Sequence, residues 1–193
     1  MMLRMPTTYD PAWPVLFDRL RTELQRSTGL KSIFHIGSTA VPGLAAKPII
    51  DIQLGVASLD LFDSRVLKTA GFEFAPEIDR DDVPPGYALN PGNWQKLYAR
   101  LHVDGVRIAH LHIRQNDLPN FRLALLVRDF LRAEKAAAAL YATFKMRAAE
   151  ASKDGSQPGG SGVYLNLKDP FVALLIMLAE RWATQTRWTL PQT

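Results

Sequence analysis

The segment PIIDIQLGV, residues 48–56, is the part of the chain that most restricts its fold. It is an apolar run with the length of a buried strand, and one acid, Asp51, lies inside it. Because side chains alternate along a strand, Asp51 and Gln53 point to one face and the interleaved aliphatic residues to the other. A carboxylate on such a strand is costly unless a charged or hydrogen-bonding group meets it. The segment therefore predicts a sheet with one apolar face and a polar site on the other.

Two kinds of partner fit Asp51. One is a divalent cation, because carboxylate oxygens are preferred ligands of such ions. The other is structural: Asp51 would cap a turn, or pair with the nearby Lys47 or with an arginine. The spacing favours neither interpretation over the other.

A strand predicted at 32–36, SIFHI, ends directly before Gly37 and Ser38. A Gly-Ser turn after a strand offers backbone N–H groups and a hydroxyl to an anion, and glycine has no Cβ to block a close approach. Asp51 follows on the next strand, after a short helical piece. This order of turn and acid resembles the outline of nucleotidyltransferase-fold proteins, in which a Gly-Ser turn holds a triphosphate and strand carboxylates hold Mg²⁺.

The rest of the chain predicts further strands and helices around this pair of strands. In chain order we expect a helix over 14–25, a helix from Ser58 to about Ala70, a strand at 72–75, a hairpin around Asp104-Gly105, two helices between 118 and 150, a Gly/Ser-rich connector at 152–162 and a helix over 170–182. Strands followed by helices predict an α+β (α/β) fold, a mixed β-sheet flanked by helices with a helical C-terminal portion. The length predicts a single domain over residues 1–193.

Composition excludes several classes of protein. The net charge of +4 is spread along the chain without long basic runs, which favours anionic ligands such as nucleotides and predicts no nucleic-acid binding. The absence of cysteine excludes disulfides, thiolate metal sites and cysteine nucleophiles, and it is typical of a cytoplasmic protein. We expect neither a signal peptide nor a membrane span, since the longest apolar stretch ends at Glu180, short of about 20 residues. The oligomeric state is left open.

The block HIGSTAVPGLAAKPIIDI, residues 35–52, closely resembles the signature of the GrpB family, which has a nucleotidyltransferase-like fold. The resemblance extends through YDPAWPVLF, HLHI and LLVRDFLRAEKAAAALYATFK, and so covers nearly the whole chain. It implies that Gly37 and Ser38 form a phosphate-binding turn. It also implies that Asp51 is the first metal-binding carboxylate.

The chain departs from active nucleotidyltransferases after Asp51. Those enzymes usually have a second acid two residues on, where this chain has Gln53, a weaker metal ligand. On the strand RIAHLHI, His110 and His112 share one face. A cluster of these four residues would bind one divalent metal, Mg²⁺ or Mn²⁺ or, with histidine ligands, Zn²⁺, or would use a histidine as general base. The alternative is that the two histidines simply form hydrogen bonds across the hairpin.

Basic and aromatic residues elsewhere are candidates for binding a nucleotide or substrate. Lys47 would neutralise a phosphate as a point charge. Residues at helical spacing add a basic and aromatic wall, namely Arg128 with Arg132, Tyr141 with Lys145, and Tyr164 with Lys168. Solvated helix faces explain each pair separately, and only convergence on one cleft would favour function.

The leading functional prediction is a metal-assisted, nucleotide-dependent transferase. An NTP would bind at Gly37 and Ser38, Asp51 and His112 would be catalytic, and a small-molecule acceptor would attack the α-phosphate. One alternative is a nucleotide- or ligand-binding module that has lost catalysis, motivated by Gln53. Another is an enzyme that activates a carboxylate with ATP and forms an amide. The chain has no G-x-x-x-x-G-K-[ST] motif, which excludes a P-loop in these 193 residues.

Overall fold

The computed structural model describes residues 5–88, 90–151 and 160–192, without the side chains of 160–166. The helices and strands are α1 (Ala12–Thr28), β1 (Ile33–Ile36), β2 (Ile50–Val56), β3 (Glu73–Phe74), β4 (Leu97–Val103), β5 (Val106–Gln115), α2 (Pro119–Ala133), α3 (Lys135–Ala151) and α4 (Gly160–Thr186). Short 3₁₀ segments lie at Ser38–Ala40, Ser64–Ala70 and Pro91–Trp94. The predicted connector falls mainly at 152–159, outside the described residues.

The five strands form one mixed sheet in the order β1-β2-β5-β4-β3. Only β2 and β5 run parallel, and the other neighbouring pairs are antiparallel. The β4–β5 hairpin turns at Asp104 and Gly105, which both have positive φ, 49° and 73°, as a tight two-residue turn requires. With helices on the sheet and a helical C-terminal portion, this architecture confirms the predicted fold class.

The first face of the sheet packs against α1. The α1 sequence places Trp13, Phe17, Leu20 and Leu24 on one stripe, and all four are buried. They meet the aliphatic side chains of β2, of which Ile52 is fully buried. Burial of these side chains is the main force that holds α1 on the sheet.

The second face of the sheet carries the polar side chains and lies towards α2, α3 and α4. These helices form their own apolar cluster, which includes Leu126, Phe130, Tyr141 and Ala179. The polar face of the sheet is therefore bordered by the helical portion, and the candidate site lies on that face.

Among the described residues, no helix is both long and apolar enough to cross a membrane.

The predicted helix from Ser58 is wrong in its start and type. The regular segment is a 3₁₀ helix, Ser64–Ala70, and Asp63 caps its N-terminus. The Asp63 carboxylate accepts a hydrogen bond from the Arg65 backbone N–H at 3.0 Å. The cap at Asp63 thus gives the helical segment a later start than the predicted one at Ser58.

Candidate functional site

The parallel pairing of β2 with β5 brings the predicted acid and histidines together. Asp51 pairs with His110 and Gln53 with His112, so all four side chains share the polar face. His110 Nδ1 lies 3.1 Å from Asp51 Oδ1, and His112 Nε2 lies 4.0 Å from the same oxygen. The alternation in the sequence thus predicts this face correctly.

Asp51 is ionised at neutral pH. Burial raises the pKa of Asp51, but the hydrogen bond from His110 and electrostatic interactions with the two histidines and Lys168 outweigh it, so the pKa falls below its usual value. An ionised carboxylate only accepts hydrogen bonds, and His110 Nδ1 is therefore the donor. In the neutral imidazole this leaves His110 Nε2 with a lone pair, and that buried atom has no hydrogen-bond partner among the described residues.

Gly37 packs directly against the Asp51 carboxylate. Its φ is 70° and its ψ −169°, a backbone conformation essentially restricted to glycine. A Cβ atom at Gly37 would lie 2.3 Å from Asp51 Oδ2. The turn then continues as a 3₁₀ segment that begins at the half-buried Ser38. The predicted phosphate-binding turn and the predicted metal-binding acid therefore lie in contact.

Gln53 has structural partners on both ends of its amide. Its Oε1 accepts from Arg114 Nη1 at 2.7 Å, and its Nε2 donates to the backbone oxygen of Phe121 at 3.0 Å. The side chain is fully buried. Gln53 thus ties β2 to β5 and α2, and its role as a metal ligand stays a prediction.

Arg114 belongs to a buried ionic network that the sequence analysis did not identify. Its guanidinium binds both oxygens of Asp81, at 2.7 and 2.9 Å. Lys96 Nζ donates to Asp81 at 2.6 Å, and Asn120 Nδ2 donates at 3.1 Å. The charges of Arg114 and Lys96 hold the pKa of Asp81, despite its burial, well below the usual range. The only signal in the sequence was the spacing of Arg114, which continues the alternation of the two histidines.

His112 is neutral because of its surroundings. Burial and the charges of Arg114 and Lys96 lower its pKa well below the usual value. Arg114 Nη2 lies 3.4 Å from His112 Nδ1. Since an arginine N–H can only donate, Nδ1 is the accepting nitrogen and Nε2 carries the hydrogen. In this tautomer His112 offers a hydrogen-bond donor towards Asp51.

Lys145 of α3 and Lys168 of α4 add positive charge near Asp51. The buried Lys145 donates from Nζ to the backbone oxygen of Ala45, and Nζ lies 4.7 Å from the centre of the Tyr141 ring. Burial and the charge of Lys168 lower the pKa of Lys145 to about 7, against the attraction of Asp51. Burial and Lys168 also lower the pKa of Lys47. Two predicted residues, Lys145 and Lys168, thus act on Asp51, whereas Lys47 and Tyr141 lie close to one of these lysines. The Tyr164 side chain lies outside the described residues.

The state of Lys145 gives a testable pH dependence. Its pKa of about 7 in the fold is below the 10.5 of an ordinary lysine. Between these values the unfolded chain binds more protons than the folded one, so the free energy of unfolding should rise with pH above about 7. Urea unfolding of the wild type and of Lys145→Met at neutral and alkaline pH measures this. Lys145→Met should lose the rise, and the exposed Lys135→Met should keep it. Equal pH profiles for wild type and Lys145→Met would show the assignment to be wrong.

Arg128 contacts the backbone next to the turn and the carboxylate of Asp129. Its Nη1 donates to the backbone oxygen of His35 at 3.1 Å, and its Nε to Asp129 at 2.7 Å. Arg132 Nε donates to the backbone oxygen of Ala40 at 2.9 Å. The two arginines therefore fix the backbone on either side of the Gly37-Ser38 turn, and a direct role of Arg128 in substrate binding stays a prediction.

The side chains of Asp51, His110 and His112 are suited to holding one metal ion. One ligand atom from each lies within 4.8 Å of the others. One carboxylate and two imidazoles are typical of Zn²⁺ or Mn²⁺ more than of Mg²⁺, which prefers oxygen ligands. His112 would have to change tautomer to bind through Nε2, since that nitrogen carries the hydrogen here.

Comparison with known proteins identifies similar sequences and similar structures. A family model described as GrpB protein matches residues 7–177. The crystal structure of conserved protein GrpB from Enterococcus faecalis has a TM-score of 0.70 and 31% identity to this chain, and the match covers 92% of this chain and 99% of that one. Both the sequence and the fold are therefore shared over most of the chain.

Two curated relatives are longer proteins. A dephospho-CoA kinase of Mycolicibacterium paratuberculosis is 34% identical over 93% of this chain and 46% of its own length. The UPF0157 protein YqkA of Bacillus subtilis is 30% identical over 90% of this chain and 46% of its own length. The chain thus spans about half the length of these relatives.

Proposed function

This chain belongs to the GrpB family, and we propose that it is a nucleotide-dependent transferase that acts on a small molecule. The observation that carries the proposal is the contact between Gly37 and Asp51. In this contact the predicted anion-binding turn lies against an ionised carboxylate that has two histidines beside it. A nucleotide bound there would have its phosphates on the turn and next to a group that can hold a metal ion.

The charges around Asp51 support a polyphosphate ligand. Lys168 and Lys145 both act electrostatically on Asp51, and Lys47 lies within the electrostatic range of Lys168. Such an excess of positive charge attracts a phosphate chain and neutralises the charge that develops on it during transfer. The names of the relatives agree with a nucleotide-related role. Kinase activity is not part of the proposal, because this chain has no P-loop sequence.

The residues of the site have separate tasks in the proposed reaction. An acceptor oxygen attacks the α-phosphorus, the new P–O bond forms, and the bond to pyrophosphate breaks. The acceptor proton passes to the Asp51–His110 pair, whose Nε2 has no partner among the described residues. A metal ion held by Asp51 and by His112 in its other tautomer would supply charge neutralisation at the phosphates.

A second candidate function is a ligand-binding module without catalysis. Gln53 favours it, because the position where active transferases usually have an acid is occupied here by an amide that is bound to Arg114 and Phe121. A third possibility is carboxylate activation by ATP followed by amide formation. The released product separates these three functions. The proposed transferase releases pyrophosphate and leaves the nucleotidyl group on the acceptor, whereas the amide-forming enzyme releases AMP or ADP only when a carboxylate and an amine are both present. The binding module releases no product.

Calorimetric titration with nucleoside triphosphates, with and without Mn²⁺, tests the proposal. We expect binding that Mn²⁺ strengthens, and Asp51→Asn should weaken the metal-dependent affinity at least about tenfold. The exposed Asp60→Asn is the matched control and should bind as the wild type does. If no nucleoside triphosphate binds under either condition, the proposed function is wrong.

A further inference from the structure

A cavity of about 270 Å³ lies at the free edge of β1, between α1, β1 and α2. Its walls include Phe17 and Arg21 of α1, Phe34 and His35 of β1, and Arg128 and Arg132 of α2. Asp51 does not line it, and His35 pairs with Ile52 and so points to the face of the sheet opposite to Asp51. The cavity is therefore separate from the proposed nucleotide site.

Flat aromatic surfaces form one wall of the cavity. The rings of Phe17 and His35 stack with their centres 4.7 Å apart and their planes 12° from parallel. The guanidinium of Arg21 lies 5.8 Å from the centre of the Phe17 ring. Burial, with the nearby charges of Arg132 and Arg128, outweighs the attraction of Asp51 and lowers the pKa of His35 to about 4. His35 is thus a neutral ring at neutral pH.

The cavity has more positive than negative charge. Three arginines line it, and Asp18 is the one acid among its lining residues. Asp18 lies 3.1 Å from Arg21 in an exposed pair. A single carboxylate, Asp129, serves both other arginines, at 2.7 Å from Arg128 and 3.7 Å from Arg132. Burial, and secondly repulsion by the charge of Arg128, lower the pKa of Arg132. An anion beside Arg132 would relieve this repulsion.

We propose that this cavity binds a small aromatic anion, a single ring that carries a phosphate or carboxylate group. The ring would lie against the Phe17–His35 wall, and the anionic group would bind between Arg21 and Arg132. The volume is suited to one ring with its substituent, and it is at the lower end of the range of ligand pockets. Arginine forms paired hydrogen bonds to phosphate and carboxylate oxygens, and it also stacks on aromatic faces. The proposal is independent of the nucleotide site.

Calorimetric titration with phenyl phosphate tests this proposal. Phenyl phosphate should bind more tightly than either inorganic phosphate or benzyl alcohol, because each of these has only one of the two features. Arg21→Ala should weaken binding about tenfold, since a charge-assisted contact is lost. Arg26→Ala is the matched control: Arg26 is exposed on the same helix, pairs with Glu23 at 2.7 Å, and is not among the cavity's lining residues. Benzoate in place of phenyl phosphate distinguishes a carboxylate ligand from a phosphate ligand.

Three results would overturn the proposal. The first is that phenyl phosphate fails to bind at millimolar concentration. The second is that Arg21→Ala and Arg26→Ala bind it equally well, and the third is that Asp51→Asn abolishes its binding. The last result would place phenyl phosphate at the proposed nucleotide site instead. Both variants replace exposed side chains of α1, so thermal unfolding should show that each keeps the fold.

Discussion

Replacement of Gly37 by alanine should abolish nucleotide binding and destabilise the fold by about 3 kcal/mol. The backbone at Gly37 has φ 70° and ψ −169°, which an L-residue adopts only at a cost of about 1–3 kcal/mol. The new Cβ would also lie 2.3 Å from Asp51 Oδ2, so the carboxylate or the turn must move. Either movement separates the anion-binding turn from Asp51.

Gly29→Ala is the matched control for this variant. Gly29 has φ 71°, and a Cβ there would have no atom within 4 Å. It should lose about 1 kcal/mol through the backbone conformation alone and keep nucleotide binding. Urea unfolding and calorimetric titration measure both effects. Wild-type affinity in a folded Gly37→Ala variant would show that the turn does not hold the nucleotide.

Replacement of Asp81 by alanine should destabilise the fold by about 3–5 kcal/mol. Asp81 binds Arg114, Lys96 and Asn120, and both cations are buried, so the variant leaves two buried charges without their carboxylate. Asp79→Ala is the control, because Asp79 forms a solvent-exposed pair with Arg80, and such pairs contribute little to stability. Chemical unfolding of both variants at neutral pH is the measurement. Equal losses in the two variants would contradict the importance of the buried network.

The same carboxylate should make the fold sensitive to acid. The pKa of Asp81 in the fold lies below its value of 3.8 in an unfolded chain. Its contribution to the free energy of unfolding is therefore complete above about pH 5, and it declines as the pH falls through and below 3.8. Asp81→Asn should be less stable than the wild type at neutral pH, with a smaller further loss in acid. The same acid-induced loss in both proteins would contradict this assignment.

The polar face of the sheet could be predicted because strand periodicity is local. Alternation in PIIDIQLGV and RIAHLHIRQ puts Asp51 on one face of its strand and the histidines on one face of theirs. The Gly37-Ser38 turn and the Asp104-Gly105 hairpin are also local signals, since each depends on two adjacent residues. The family resemblance, confirmed by the comparisons, added the order of these parts.

The partners of the buried polar groups could not be predicted because they come from distant parts of the chain. Asp81 is one of three aspartates in a loop, and only the folded chain brings it to Arg114. Helical spacing predicts that Arg128 and Arg132 share one face of α2. It does not show where that face lies relative to the Gly37-Ser38 turn. The prediction of a helix from Ser58 is wrong because Asp63, and not Ser58, caps the helical segment.

Diffraction from crystals grown with Mn²⁺ and an α,β-methylene nucleoside triphosphate shows directly whether a nucleotide and a metal ion bind beside Asp51. We expect an anomalous manganese peak in contact with Asp51 and at least one of His110 and His112. We also expect phosphate oxygens on the backbone N–H groups of the Gly37-Ser38 turn. A bound nucleotide whose phosphates lie away from this turn, with no manganese peak at Asp51, would contradict it.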